Sequence, residues 1–131
     1  MTTILNASPT NGLVQTADGS GVLKCQSNGV TTNALAWVNF NGTGTVAIRS
    51  SYNVSSITDN GTGDYTVNFA TALSDANYVA NVNAGGTSAV YQGSFYDLSS
   101  ARTTTALRVV SLNSSSSNTD AAIINVSVHG N

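Results

Sequence analysis

The sequence predicts an all-β fold, an antiparallel β-sandwich or jelly-roll-like barrel with an extended N-terminal arm. Three observations predict it. Ser, Thr, Asn and Gly make up nearly half of the 131 residues, a bias toward turns and strands over helices. From Leu35 onward, short runs of alternating apolar and polar residues recur at the spacing of a sandwich, separated by turn signals. No segment sustains a helical period, and Ala70 to Asp75 has room for a single turn only.

The arm comes first. Residues 1–30 are polar, hold the only proline, Pro9, and contain one short alternating run, Val22 to Gln26. Such a segment cannot bury enough apolar area alone, so Ile4, Leu5, Leu13 and Val14 are expected to dock on the chain's own core or on a neighbouring subunit. Cys25 shares a face with Leu23, which predicts inert packing, with an intermolecular bridge as the alternative. A lone cysteine excludes an intrachain disulfide.

Residues 31–131 form the expected sandwich domain, with strands at about 35–40, 45–50, 53–58, 64–69, 77–83, 87–97, 105–112 and 121–129. Asn41-Gly42, Asn60-Gly61, Gly85-Gly86 and the run from Asn113 to Asn118 mark the reversals between them. The stretch from Asn53 to Phe69 reads most clearly, as two strands closed by a Gly-rich turn. Tyr65, Val67 and Phe69 fall on one face and Thr66 and Asn68 on the other. Asn60-Gly61 accepts positive φ readily, and Gly63 allows a bulge or wider loop. The serine run after Asn113 is followed by strand-like sequence, so it reads as a mobile hairpin tip rather than a linker. Loop tips commonly carry recognition, which makes Asn113 and Asn118 candidate contact residues.

Aromatic side chains are the usual sugar platforms and interface anchors. Trp37 shares its strand face with Leu35 and Asn39 in a run that is apolar on both sides, so it is expected in the core or between subunits. Tyr91 and Phe95 alternate as a core face would, while Tyr96 stands evenly between packing and ligand contact.

Composition excludes several function classes. The net charge is −2, and Lys24, Arg49, Arg102 and Arg108 are scattered, so nothing marks a nucleic-acid surface. No apolar run approaches a membrane helix, and Met1 to Leu5 lacks the basic flank and length of a secretion signal. Synthesis in a cytoplasm without membrane insertion is the expectation. Acid–base chemistry has six Asp, no Glu and a single near-terminal His129 to draw on. Asp59, Asp64, Asp75, Asp97 and Asp120 could supply a two-carboxylate glycosidase, but no pair is selected. Asp59 and Asp64 flank the hairpin turn and are expected to bond turn amides. The loop from Asp59 to Asp64 lacks the spacing and the bidentate Glu of a calcium loop. One Cys and one His cannot build a zinc site within a single chain. No catalytic residue, metal or cofactor is therefore expected. The six N-x-[ST] sequons carry little weight in a chain so rich in Asn, Ser and Thr.

Three consecutive elements, AWVNF-NGTGTVAIR, NVSSITDNGTGDYTVNF and FATALSDANYVANV, run from Ala36 to about Val82 and resemble a β-rich module of bacteriophage virion proteins. The upstream Gly12 to Leu23 is similar to segments that precede such modules, and beyond Gly85 the match fades. The resemblance implies a non-enzymatic virion structural protein on the outer surface of the particle and made in the host cytoplasm. Chain size favours a capsid decoration (cement) protein, a homotrimer whose arm contacts the major capsid protein or another virion protein. The alternative is a tail- or head-fibre tip that binds host cell-surface glycans.

Overall fold

The structure, a computed structural model, describes residues 26–27, 30–86 and 102–130, with side chains from Thr32 onward. Ile4, Leu5, Leu13, Val14, Cys25, Tyr91, Phe95, Tyr96 and Asp97, the run Val22–Cys25 and the strand expected at 87–97 lie outside the described residues. Among the described residues nine strands occur in chain order: β1 (Gln26–Ser27), β2 (Val30–Thr31), β3 (Ala36–Asn41), β4 (Ala47–Tyr52), β5 (Val54–Gly61), β6 (Asp64–Phe69), β7 (Val79–Gly85), β8 (Ala106–Val110) and β9 (Ile123–His129). Among the described residues there is no helix, and Ala70 to Asp75 runs as irregular chain rather than as the helical turn the sequence had room for.

Alternation dictates the strands. Ala36, Val38 and Phe40 of β3, Tyr65, Val67 and Phe69 of β6, and Ile124, Val126 and Val128 of β9 are all buried. Their intervening neighbours turn outward, the period of two expected of half-buried antiparallel strands. Two antiparallel sheets result, one ordered β4-β3-β9-β7 and one ordered β5-β6-β8, with β1 and β2 pairing apart. They stack as a sandwich, so of the two architectures expected the open sandwich holds and the closed barrel does not.

The chain crosses between sheets through one residue. Asn53 separates β4 from β5 and takes a left-handed backbone with φ 53°, a conformation Asn tolerates better than most residues. Its side-chain amide donates to Leu35 O at 3.0 Å and Thr71 O at 3.2 Å, and its Oδ1 accepts from Thr71 N at 2.8 Å. One side chain thus ties the corner to two flanking loops.

The hairpin between β5 and β6 turns one step later than predicted. Positive φ falls on Gly61 (127°) and Gly63 (66°), and Asn60 stays in the strand. Asn60 is held there because its amide bridges to Asp64 Oδ1 at 3.2 Å and Thr66 Oγ1 at 2.9 Å. On β4 the register slips opposite Asn39 and Phe40, which leaves Arg49 as the extra residue of a bulge. Its guanidinium reaches Ala122 O at 2.6 Å.

Two edge-to-face aromatic pairs span the sandwich at opposite ends. Phe40 meets Tyr65 at 5.3 Å between centroids, and Phe69 meets Tyr78 at 6.0 Å. Each joins a side chain of one sheet to one packed on the other, a geometry favoured by the ring quadrupoles. The buried Tyr65 hydroxyl is shared between Gly42 O and Asp120 Oδ1, each 2.8 Å away.

Trp37 departs from one expectation. It is 38 % exposed on the outer face of β3, so of the two places expected for it, the core or a contact between subunits, the core of this chain is ruled out. The physical reason is simple alternation: Ala36, Val38 and Phe40 occupy the inner face, which leaves Trp37 with Asn39 outside.

Candidate interaction face

The outward side of the four-stranded sheet brings together side chains from four separate strands. Strand register aligns them in rows. Tyr52 of β4 sits opposite Trp37 of β3, which pairs across to Ser127 of β9 and on to Asn81 of β7. The next row runs Ser50, Asn39, Asn125 and Asn83.

Three amides of that second row form a ladder. Asn39 Nδ2 donates to Asn125 Oδ1 at 2.6 Å, and Asn125 Nδ2 donates to Asn83 Oδ1 at 2.7 Å. Asn is disfavoured in strands by propensity, and here cross-strand hydrogen bonds offset that preference. Each side-chain amide carries two N–H donors, so each of the three keeps a donor beyond the ladder. The rows hold no charged side chain. Val79, opposite His129 at the end of β7, is 60 % exposed and adds an apolar margin.

The other sheet presents a different surface. On its outer face Asn68 donates to Ser56 Oγ at 3.1 Å and Thr58 Oγ1 at 3.0 Å. Arg108 grips Asp64 with two parallel hydrogen bonds, the Nε contact to Oδ1 measuring 2.8 Å. That guanidinium holds the Asp64 carboxyl below its ordinary 3.8. These groups satisfy one another across the strands, without an aromatic platform among them.

The carboxylates are engaged structurally. Asp59 accepts from Gly61 N at 2.9 Å, the turn-amide role expected of it. Asp64 was expected to do the same, but it pairs with Arg108 because the β6–β8 register sets Thr66 opposite Arg108, one row away. The turn amide of Gly63 is taken by Asp120 Oδ1 at 2.7 Å, a partner 57 residues along the chain that no local pattern announces. Asp75 accepts from Asn77 N at 2.6 Å. Among the described residues no group of three or more His, Cys, Asp or Glu is placed to hold a metal ion, and no helix is long and apolar enough to cross a membrane.

The serine run folds as a tight hairpin tip, with Leu112 bridging Asn118. Asn113 Oδ1 accepts from Ser115 N at 2.9 Å and Ser117 N at 3.0 Å, so this candidate residue staples the loop. Asn118 is exposed on the flank of the tip. The two are near neighbours at the tip, and neither belongs to the Trp37 rows. The ladder of Asn39, Asn83 and Asn125 was missed in the sequence, although an Asn midway along an alternating run was a usable signal in all three strands.

Compared with known proteins, the chain matches no family model, no curated protein and no solved structure.

Proposed function

We propose that this chain is a non-enzymatic structural protein of a bacteriophage virion, a capsid decoration protein that binds the outer lattice as a homotrimer. One observation carries the reading. The stretch that resembles virion modules, Ala36 to about Val82, makes β3 through β6 and the first half of β7, which is most of the sandwich. The resemblance therefore falls on consecutive paired strands, β3 with β4 and β5 with β6, and not on a scatter of turns. A rigid body faced by short, mutually bonded polar side chains also suits a lattice ornament, because such side chains lose little entropy on ordering. The arm residues Ile4, Leu5, Leu13 and Val14 provide the capsid contact in this reading.

The test is the copy number of the protein relative to the major capsid protein in purified particles. One copy per capsid subunit, or a simple fraction of that, is the expected result. A few dozen copies per particle would reassign the chain to a fibre tip, and absence from particles would end the virion reading. Deleting residues 1–20 should abolish attachment and leave a folded β-domain. Continued attachment of the truncated protein would remove the arm from the contact.

A further inference from the structure

We infer that the outer face of the four-stranded sheet is a binding site for a neutral oligosaccharide, with Trp37 as its stacking platform and the Asn39–Asn125–Asn83 ladder as its hydroxyl reader. The inference gives the host-recognition alternative a site, and it stands apart from lattice decoration. Neither Asn113 and Asn118 nor Tyr96, the loop candidates, takes part in it.

The chemistry of the face selects the ligand. Sugar rings present an apolar C–H surface and an equatorial fringe of hydroxyls that both donate and accept. Trp37 offers the complement of the first, a large aromatic surface 38 % exposed on the outer face of the sheet. The ladder offers the complement of the second, since each amide has a carbonyl oxygen and an N–H beyond the one that links it to its neighbour. The amides are already held in register by the strands, so little further ordering is needed on binding. From strand spacing the ladder spans about 10 Å and lies about 7 Å from the Trp37 row, a footprint of two or three sugar units.

The same observations disfavour other occupants. An anionic glycan or nucleic acid would call for free Arg or Lys; the two rows carry neither, and Arg49, at their margin beside Ser50, spends a guanidinium nitrogen on Ala122 O at 2.6 Å. A lipid surface would call for a continuous apolar patch, and beyond Tyr52 on one side Trp37 is followed by Ser127 and then Asn81 on the other, with Asn39 next along its own strand. An extended peptide adds to a sheet edge, whereas this is a sheet face.

Trp37 is the chain's single tryptophan, so intrinsic fluorescence reports on the site directly. The full-length protein is titrated with maltohexaose, cellohexaose and chitohexaose, and with polygalacturonate as the anionic control. A saturable change in emission with at least one neutral glycan and none with polygalacturonate is expected. Calorimetry on Trp37→Ala and Asn125→Ala, each first shown to melt cooperatively, should then give affinity losses of about tenfold or more. No response to any neutral glycan at millimolar concentration would overturn the inference, as would binding that survives Trp37→Ala. An emission change driven by protein concentration alone, with a matching rise in mass, would overturn it too and make the face a contact between copies. These outcomes are independent of the copy number on particles, so the failure of one reading is distinguishable from failure of the other.

Discussion

Trp37 and Phe40 lie three positions apart on one strand, yet truncating them should have very different consequences. Phe40 is fully buried against Tyr65, so Phe40→Ala removes a core ring and leaves a cavity, at a cost of about 3–5 kcal/mol. Trp37 projects outward, and Trp37→Ala should cost no more than about 1 kcal/mol. Urea unfolding of the two variants checks the contrast, and a large loss for Trp37→Ala would put that ring back in a packed interior. Gly63 is the more demanding residue. It holds φ 66°, and a Cβ there would sit 2.5 Å from Thr119 N and 2.6 Å from Ser111 O, both backbone atoms. Gly63→Ala should therefore lose roughly 2–4 kcal/mol, from left-handed strain and overpacking together. Asp120→Ala leaves Gly63 N and the Tyr65 hydroxyl without their carboxylate partner, and about 1–3 kcal/mol should go with it. Near-wild-type midpoints for either variant would mean that this turn is not locked.

At the scale of elements, β9 is the piece on which the larger sheet depends. It lies between β3 and β7 and bonds to both, although it is the last strand in the chain. A protein truncated after Asp120 should expose both neighbouring edges and the inner faces that Ile124, Val126 and Val128 cover. The expected result is loss of the cooperative urea transition, and a truncated chain that still unfolds sharply would show that the smaller sheet folds alone. How far such features were readable in the sequence depended on how local their causes are. The alternation in β3, β6 and β9 is written in adjacent residues, so the strands and most core positions could be read directly. The Asn39–Asn125 contact joins positions 86 apart, and Asn125–Asn83 joins positions 42 apart, so the ladder exists only once strand order is known. The core alternative for Trp37 failed for a different reason. Hydrophobicity was weighed over the whole run when the parity of the position decides its face. The turn moved from Asn60-Gly61 to Gly61 and Gly63 because Asn60 found cross-strand partners, a tertiary effect that overrides local turn preference.

For the whole molecule, the titrating groups with displaced pKa values among the described residues define where stability should fail with pH. Asp64 bounds the acid side. Arg108 beside it, the largest cause, holds its carboxyl below the ordinary 3.8 in the folded chain, so its contribution is complete above that value and is lost as pH falls through the lower folded pKa. The pair is only partly buried, so Asp64→Asn should cost at most about 1 kcal/mol at neutral pH and should flatten the decline below pH ~4. Tyr65 bounds the alkaline side. Burial first, and then Asp120 against its hydroxyl, push the phenol above its ordinary 10.0. Folding thus favours the protonated phenol, and its contribution is complete below pH 10 and is lost as pH rises beyond, because only the unfolded chain ionises readily. Tyr65→Phe should lower stability at neutral pH by about 1–3 kcal/mol, since Asp120 and Gly42 O lose a buried partner, while making the alkaline limb shallower than in the parent. Urea midpoints measured from pH 3 to pH 12 on the parent and both variants separate the two effects, because each substitution should alter one limb and leave the other parallel to the parent. An alkaline limb unchanged by Tyr65→Phe would mean that another group governs it, and that the buried hydroxyl between Gly42 O and Asp120 is not the sensor its burial makes it.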